Sequence, residues 1–222
     1  DVERSRGLGD VYKRQIMKYI FLHGLGQTSS SWEKTIDVMD DILDIDCPNL
    51  FTLLQGREVN YSNLYQVFSE YCKTYSKPLN ICGLSLGGIL ALQYLIENPD
   101  RVNSVVLIGT QYAMPKKMLK FQNAIFHIMP NSAFKKMGLE KKEVINLSSS
   151  MMNLNFQQDL HKIDSSVLVI CGERDKANMK ASLQLKELIP NAQFNVIQNA
   201  GHEINIDAPR KLGIVLNEFF MR

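Results

Sequence analysis

Pro78-Leu79-Asn80-Ile81-Cys82-Gly83-Leu84-Ser85-Leu86-Gly87-Gly88 holds the decisive information in this chain. Residues 78–83 are a short apolar run of the kind that forms a strand buried on both faces. Leu86–Glu97 reads as a helix ended by Asn98-Pro99, since proline disfavours helical backbone in the residue before it. A Gly-x-Ser-x-Gly stretch at such a strand-to-helix junction makes a turn so tight that Gly83 and Gly87 leave room where a side chain would collide. The turn lifts the Ser85 hydroxyl above the sheet edge. The helix N-terminus adds partial positive charge where an oxyanion would develop. The pentapeptide alone is common, and a structural glycine turn is the competing reading. The flanking strand and helix favour a nucleophile.

Outward from this junction the same alternation repeats. Lys18–Leu22 is an apolar strand candidate and Ile42–Cys47 a weaker one before Pro48. Residues 62–76 place Leu64, Val67, Phe68, Tyr71, Cys72 and Tyr75 on one helical stripe, with Ser62 as the expected N-cap. Val102–Gly109 and Val167–Gly172 are further buried strands. A helix over Ala177–Ile189 stops at Pro190, Gln193–Ile197 forms a last strand, and a final helix starts at Asp207 with Pro209 in its first turn. Near-continuous apolar strands alternating with helices predict an α/β fold: a mostly parallel central sheet covered by helices on both faces.

Composition is consistent with that class. The 222 residues carry 25 Lys plus Arg against 23 Asp plus Glu, and are 45% hydrophobic and 22% charged. This balance excludes a fibrous repeat, a disordered chain and a strongly nucleic-acid-binding surface. No apolar run reaches the ~20 residues needed to span a bilayer, and no signal-peptide pattern opens the chain. Cys47, Cys72, Cys82 and Cys171 share no CxxC spacing and sit in apolar segments. A reducing, cytoplasmic setting without a disulfide or metal framework is therefore expected, and the chemistry of a serine nucleophile requires no metal or organic cofactor. Residues 1–16 lack periodicity, whereas MKYIFLHGLG from Met17 runs directly from strand into glycine loop. Met17 reads as a natural initiator, residues 1–16 as a non-native or disordered extension, and 17–222 as one domain.

Residues 111–160 break the alternation. They read as helices and loops, holding six of the ten methionines (Met114, Met118, Met129, Met137, Met151 and Met152) and seven lysines against Glu140, Glu143 and Asp159. A helical cap inserted between two core strands fits, with flexible thioethers suiting an adaptable surface over a substrate. Ordinary helical packing under a solvated lysine face is the plainer alternative.

A serine nucleophile needs a base, and the base an orienting carboxylate. His202 lies in a turn between the last strand and the last helix, where it can reach the sheet's carboxyl edge. His127 and His161 fall in the insertion and read as surface or packing residues, and His23 as a brace for the glycine loop. Asp175 follows VLVICGER at the end of a core strand, where α/β sheets place functional side chains; a turn former or helix N-cap is its alternative role. Asp164 lies before its strand, and Asp207 reads as a helix cap. In His23-Gly24-Leu25-Gly26 the glycines let backbone approach a substrate. The oxyanion donors are then the amides of Leu25 and Leu86. Trp32, near this loop, has three readings, packing on the loop, lining the pocket, or core packing, of which core packing is the plainest.

HGLGQ (23–27), GLSLGG (83–88), NPDRV (98–102), GERD (172–175) and GHEINIDAP (201–209) occur in the order found in α/β-hydrolases, with Ser85, Asp175 and His202 in that family's Ser…Asp…His sequence. The chain resembles single-domain members of that superfamily of esterases, lipases and thioesterases from Met17 to Arg222. The resemblance implies a cap after the sixth strand of the family sheet, here 111–160. It also implies a trimmed sheet of about six strands, because the two strands usual before the HG loop are missing. The polar motif usual after the fourth strand is altered to CPNLFTLLQGRE (47–58).

The expected activity is hydrolysis of a carboxylic ester of a small or medium acyl substrate through an acyl-enzyme. A serine argues against the carboxylate-based dehalogenases and epoxide hydrolases of the superfamily. A thioesterase or acyl-carrier esterase is the nearest rival, since the lysine-rich insertion could attract an anionic carrier. A menaquinone-pathway-like lyase on the same three residues and a low-turnover ligand-binding relative are the others. The partner is a small-molecule ester or thioester, with no nucleic acid and no membrane span. Oligomeric state stays open.

Overall fold

The computed structural model describes residues 17–135 and 138–221. Residues 1–16, read above as an extension, and Met137 of the methionine cluster lie outside the described residues, as does the side chain of Met118. Six parallel strands, β1 (Lys18–Leu22), β2 (Asp44–Asp46), β3 (Leu79–Leu84), β4 (Val102–Ile108), β5 (Ser166–Gly172) and β6 (Gln193–Ile197), form one sheet in the order β2-β1-β3-β4-β5-β6. The α-helices between and after them are α1 (Glu33–Ile36), α2 (Tyr61–Lys73), α3 (Leu86–Glu97), α4 (Lys116–Ile128), α5 (Asn131–Lys135), α6 (Lys141–Ser150), α7 (Lys176–Leu188), α8 (Ile204–Asp207) and α9 (Pro209–Phe220).

The apolar residues of the strands divide between two faces, because successive side chains of a strand point to opposite sides. Ile20, Leu22, Ile81, Val105, Leu107, Val167 and Val169 enter one core with Leu64, Val67 and Phe68 of α2, Leu90 of α3 and Leu185 of α7. Tyr19, Phe21, Cys82, Leu84, Val106, Ile108, Leu168 and Ile170 enter the other with Trp32 and with Leu212, Leu216 and Phe219 of α9. Each large aliphatic side chain so buried contributes about 1.5–3 kcal/mol relative to exposure, which is why the central strands β1, β3, β4 and β5 are apolar on both faces over most of their length. Trp32 is fully buried against Phe21, ring centroids 5.1 Å apart, so it is a core residue and lies outside the site.

Local chemistry shifts several boundaries. α2 begins at Tyr61, and its N-cap is Asn60, two residues before the expected Ser62. The Asn60 side chain accepts from the Asn63 amide at 2.9 Å. Asp207 does not cap the final helix, whose N-cap is Ala208. Its carboxylate accepts from the Gly201 amide at 2.7 Å and ties down the turn that carries His202. Between β4 and β5 the chain forms α4, α5 and α6, with Phe134, Val144 and Leu147 buried in the first core. Among the described residues no helix is long and apolar enough to cross a membrane.

Candidate active site

Because every strand points the same way, the loops following β1, β3, β4, β5 and β6 converge on one edge. The pairings Leu22–Gly83, Leu84–Ile108, Ile108–Ile170 and Gly172–Ile197 keep the strand ends level. This is where an open α/β sheet presents functional side chains.

Ser85 sits in the turn from β3 to α3 with φ 53° and ψ −112°, a positive-φ conformation that side-chain-bearing residues avoid. Its amide donates to the Ile108 carbonyl at 2.8 Å. A Cβ on Gly83 would lie 2.3 Å from the Gly87 carbonyl oxygen, and one on Gly87 would lie 2.4 Å from that of Leu22. Strand and helix therefore approach more closely than any side chain permits, which holds the serine in its strained turn. Among the described residues the Ser85 hydroxyl makes no hydrogen bond.

Asp175 ends the β5 loop and caps α7, its carboxylate accepting from the Asn178 amide at 3.3 Å. The same carboxylate lies 2.6 Å from His202 Nδ1. Asp175 thus makes both contacts: one oxygen meets the helix N-terminus and the other the imidazole. With Nδ1–H donated to Asp175, Nε2 keeps the free lone pair. Burial pushes the Asp175 carboxyl up, but the hydrogen bond and charge of His202, with the Asn178 donors, outweigh it and hold it below its ordinary range.

Sequence reasoning missed Asn178. Its side-chain amide donates to both Asp175 oxygens at 2.9 Å, while its own oxygen accepts from Gln111 Nε2 at 2.8 Å. The signal was present as an Asn three residues beyond the capping Asp, the position that returns to a cap. Gly109 was missed too. Its φ is +54°, and a Cβ there would stand 3.0 Å from the His202 ring and 3.2 Å from Asp175 Oδ2.

His23 is buried beneath the glycine loop. Its Nε2 accepts from the Leu50 amide at 3.0 Å, so Nδ1 carries the proton and donates to the Gly24 carbonyl at 2.9 Å. Burial holds this imidazole below its ordinary range, against weaker opposing hydrogen bonds to Gly24 and Asn49. Its two bonds brace the loop, and neither ring nitrogen is left to serve as a base. The loop is also held through Gln27, whose amide exchanges hydrogen bonds with Asn205 of α8 at 3.1 Å each way. The altered segment 47–58 supplies that Leu50 anchor.

Leu25, Ser85, Leu86, Gly109, Asn178 and His202 line one cavity of ≈ 160 Å³. Leu86 is the first residue of α3, so its N–H has no partner within the helix. Gly26 follows Leu25 with φ 91°, which turns the loop back toward Gln27. Met114, Leu119, Leu147 and Met151, from the segment between β4 and β5, close the far side. Two of the clustered methionines thus reach the cavity, whereas His127 and His161 are exposed. The four cysteines are free, and burial pushes the Cys47 thiol up to about 12 and the Cys171 thiol to about 11. Neither is poised as a thiolate.

Comparison with known proteins points the same way. Residues 73–135 match a family profile described as alpha/beta hydrolase fold. The chain is 23% identical to a candidate 2-succinyl-6-hydroxy-2,4-cyclohexadiene-1-carboxylate synthase of Bacillus subtilis, over 90% of this chain and 89% of that one. It is 22% identical to the monoacylglycerol lipase ABHD6 of Homo sapiens, over 90% and 74%. A thermophilic esterase from Thermogutta terrifontis superposes with a TM-score of 0.75 at 16% identity, covering 92% of this chain and 89% of the other.

Proposed function

Because this chain belongs to the α/β-hydrolase superfamily, we propose that Ser85, His202 and Asp175 form a charge-stabilised nucleophile system that hydrolyses a carboxylic ester. The observation that carries the reading is the 2.6 Å contact of Asp175 with His202 Nδ1, which frees Nε2 at the cavity that Ser85 also lines. A base oriented by a buried carboxylate beside a strained, hydrogen-bond-free serine is what nucleophilic acyl transfer requires.

His202 Nε2 takes the Ser85 proton as the oxygen attacks the ester carbonyl. The Leu25 and Leu86 amides receive the oxyanion, with the α3 N-terminus adding positive potential. His202 then gives its proton to the departing alcohol, leaving Ser85 acylated. Water, deprotonated by the same nitrogen, attacks the acyl-enzyme; the acid leaves and Ser85 recovers its proton. Asp175 fixes the imidazole tautomer and stabilises its cation throughout. The helices between β4 and β5 serve as a cap whose inner residues set which acyl groups fit.

An elimination on the same three residues is the second reading, favoured by the Bacillus subtilis relative. That protein's name describes a carboxylate product. Among the described residues this cavity is lined by no Lys or Arg, so an anionic ligand would lose its hydration without a compensating cation. Ester hydrolysis therefore stands first.

A fluorophosphonate probe and p-nitrophenyl butyrate test the reading together. The probe should label Ser85 stoichiometrically. Ser85→Ala should abolish labelling and lower kcat on the order of 10⁶-fold. Unlabelled wild-type protein, or a Ser85→Ala variant with undiminished turnover, would overturn it.

A further inference from the structure

Building on the acyl-enzyme reading, we infer that the cap end of the cavity is a subsite for a neutral, oxygen-bearing acyl group, recognised by the Ser148 hydroxyl. Three consecutive serines close α6, and they differ sharply. Ser149 Oγ accepts from Asn123 Nδ2 at 3.0 Å. Ser150 Oγ donates to the Leu147 carbonyl at 2.7 Å and accepts from the Tyr61 amide at 2.9 Å. Ser148 is only 2% exposed, yet its hydroxyl has no partner. Of the buried side-chain polar atoms left unpaired among the described residues, it alone belongs to a residue that lines the cavity.

A helical serine ordinarily satisfies itself on a carbonyl one turn back, as Ser150 does. A buried hydroxyl that forgoes this bond bears the cost of desolvation, which a ligand oxygen returns on binding. The same cavity is lined by Ile89, Leu119, Leu147 and Met151, and by Gln122 of α4. No Lys or Arg lines the cavity among the described residues, so a carboxylate at this end is excluded for want of a counter-charge. The exposed lysines Lys116, Lys117, Lys120, Lys135 and Lys142 stay outside it.

Size narrows the ligand further. A cavity of ≈ 160 Å³ compares with the roughly 150 Å³ that accommodates benzene, so it holds about six non-hydrogen atoms. The acyl group that fits is short, uncharged, and carries a hydroxyl or keto oxygen remote from the scissile carbonyl.

The experiment compares p-nitrophenyl esters of pentanoic acid, 4-oxopentanoic acid and succinic acid (the free hemisuccinate) as substrates of the full chain. The 4-oxo ester should exceed the pentanoate in kcat/KM by about tenfold, the worth of one good hydrogen bond. The hemisuccinate should fall below both. Ser148→Ala should erase the 4-oxo advantage, and Ser148→Thr, which keeps a hydroxyl, should restore part of it. Equal rates for the two neutral esters, an advantage that survives in Ser148→Ala, or a preference for the hemisuccinate would each overturn the subsite. Those outcomes leave Ser85-dependent hydrolysis standing, so they are distinct from failure of the acyl-enzyme reading itself. If none of the esters turns over, calorimetric binding of methyl pentanoate and methyl 4-oxopentanoate to Ser85→Ala decides. The same tenfold preference, lost on adding Ser148→Ala, supports the subsite, and its absence overturns it.

Discussion

Gln27 and Asn205 hydrogen-bond each other through both halves of their side-chain amides, 3.1 Å in each direction, although they lie 178 residues apart. Both are buried, and Asn205 reaches further to the Ser31 carbonyl. The pair joins the loop carrying the Leu25 amide to the helix that follows His202, so the proposed oxyanion donor and the proposed base share one support. Replacing Asn205 with Ala removes both of its bonds to Gln27 and the one to the Ser31 carbonyl, while Gln27 keeps Glu203 and the Gly24 amide as partners. The expected cost is about 1–3 kcal/mol of unfolding free energy in urea titrations, the net worth of a few buried hydrogen bonds. A loss below ~0.5 kcal/mol, the ordinary range for a neutral surface change, would show that water replaces the pair at no cost.

Asn178 holds Asp175 from two sides, and Gln111 in turn holds Asn178. Without it the carboxylate loses two of its donors and can rotate away from His202. Asn178→Ala should lower kcat by roughly 10²-fold, the scale of a small misplacement in a catalytic group, with KM on small esters changed far less. A variant in which KM rises and kcat holds would make Asn178 a substrate contact instead.

Gly109 permits His202 and Asp175 to lie against bare backbone at positive φ. Gly109→Ala adds strain and pushes a methyl group to 3.0 Å from the imidazole. Stability should fall by about 1–2 kcal/mol for the left-handed conformation, while turnover falls much further because the ring is displaced. Parallel losses in kcat and stability, with full kcat regained at low temperature, would assign Gly109 to folding alone.

The parts of the site carried by local pattern were legible in the sequence. The β3–α3 junction announces itself through the apolar run and its glycines, and Asp175 and His202 through their place after a strand. Gly109, Asn205 and Ser148 were not, since each acts through a partner distant in sequence or through a bond it fails to make, whereas Asn178, three residues past the capping Asp175, was legible and overlooked. The N-cap at Asn60 was misplaced by two positions because Ser62 is an equally good capping type, and only backbone geometry separates them. Asp207 misled for a related reason. A carboxylate beside a helix start has two sets of nearby amides to serve, and here it serves Gly201.

His23 makes the fold itself sensitive to acid. Its Nε2 must stay unprotonated to accept from Leu50, and burial holds its pKa below the ordinary value of 6.5. In the unfolded chain the imidazole titrates freely near that value. Below it the unfolded state therefore binds a proton that the folded state resists, and stability drops as pH falls. His23 thus contributes its full stability above pH ~6.5 and progressively less below. In urea unfolding between pH 8 and pH 5, the gap between wild type and His23→Gln should be largest at the alkaline end. It should narrow on acidification by no more than ~1.4 kcal/mol per pH unit, the limit for one proton. The other titrating groups are common to both proteins and cancel in the difference, so a gap that stays constant across this range would mean that His23 is protonated equally in both states, and its bond from Leu50 could not then exist.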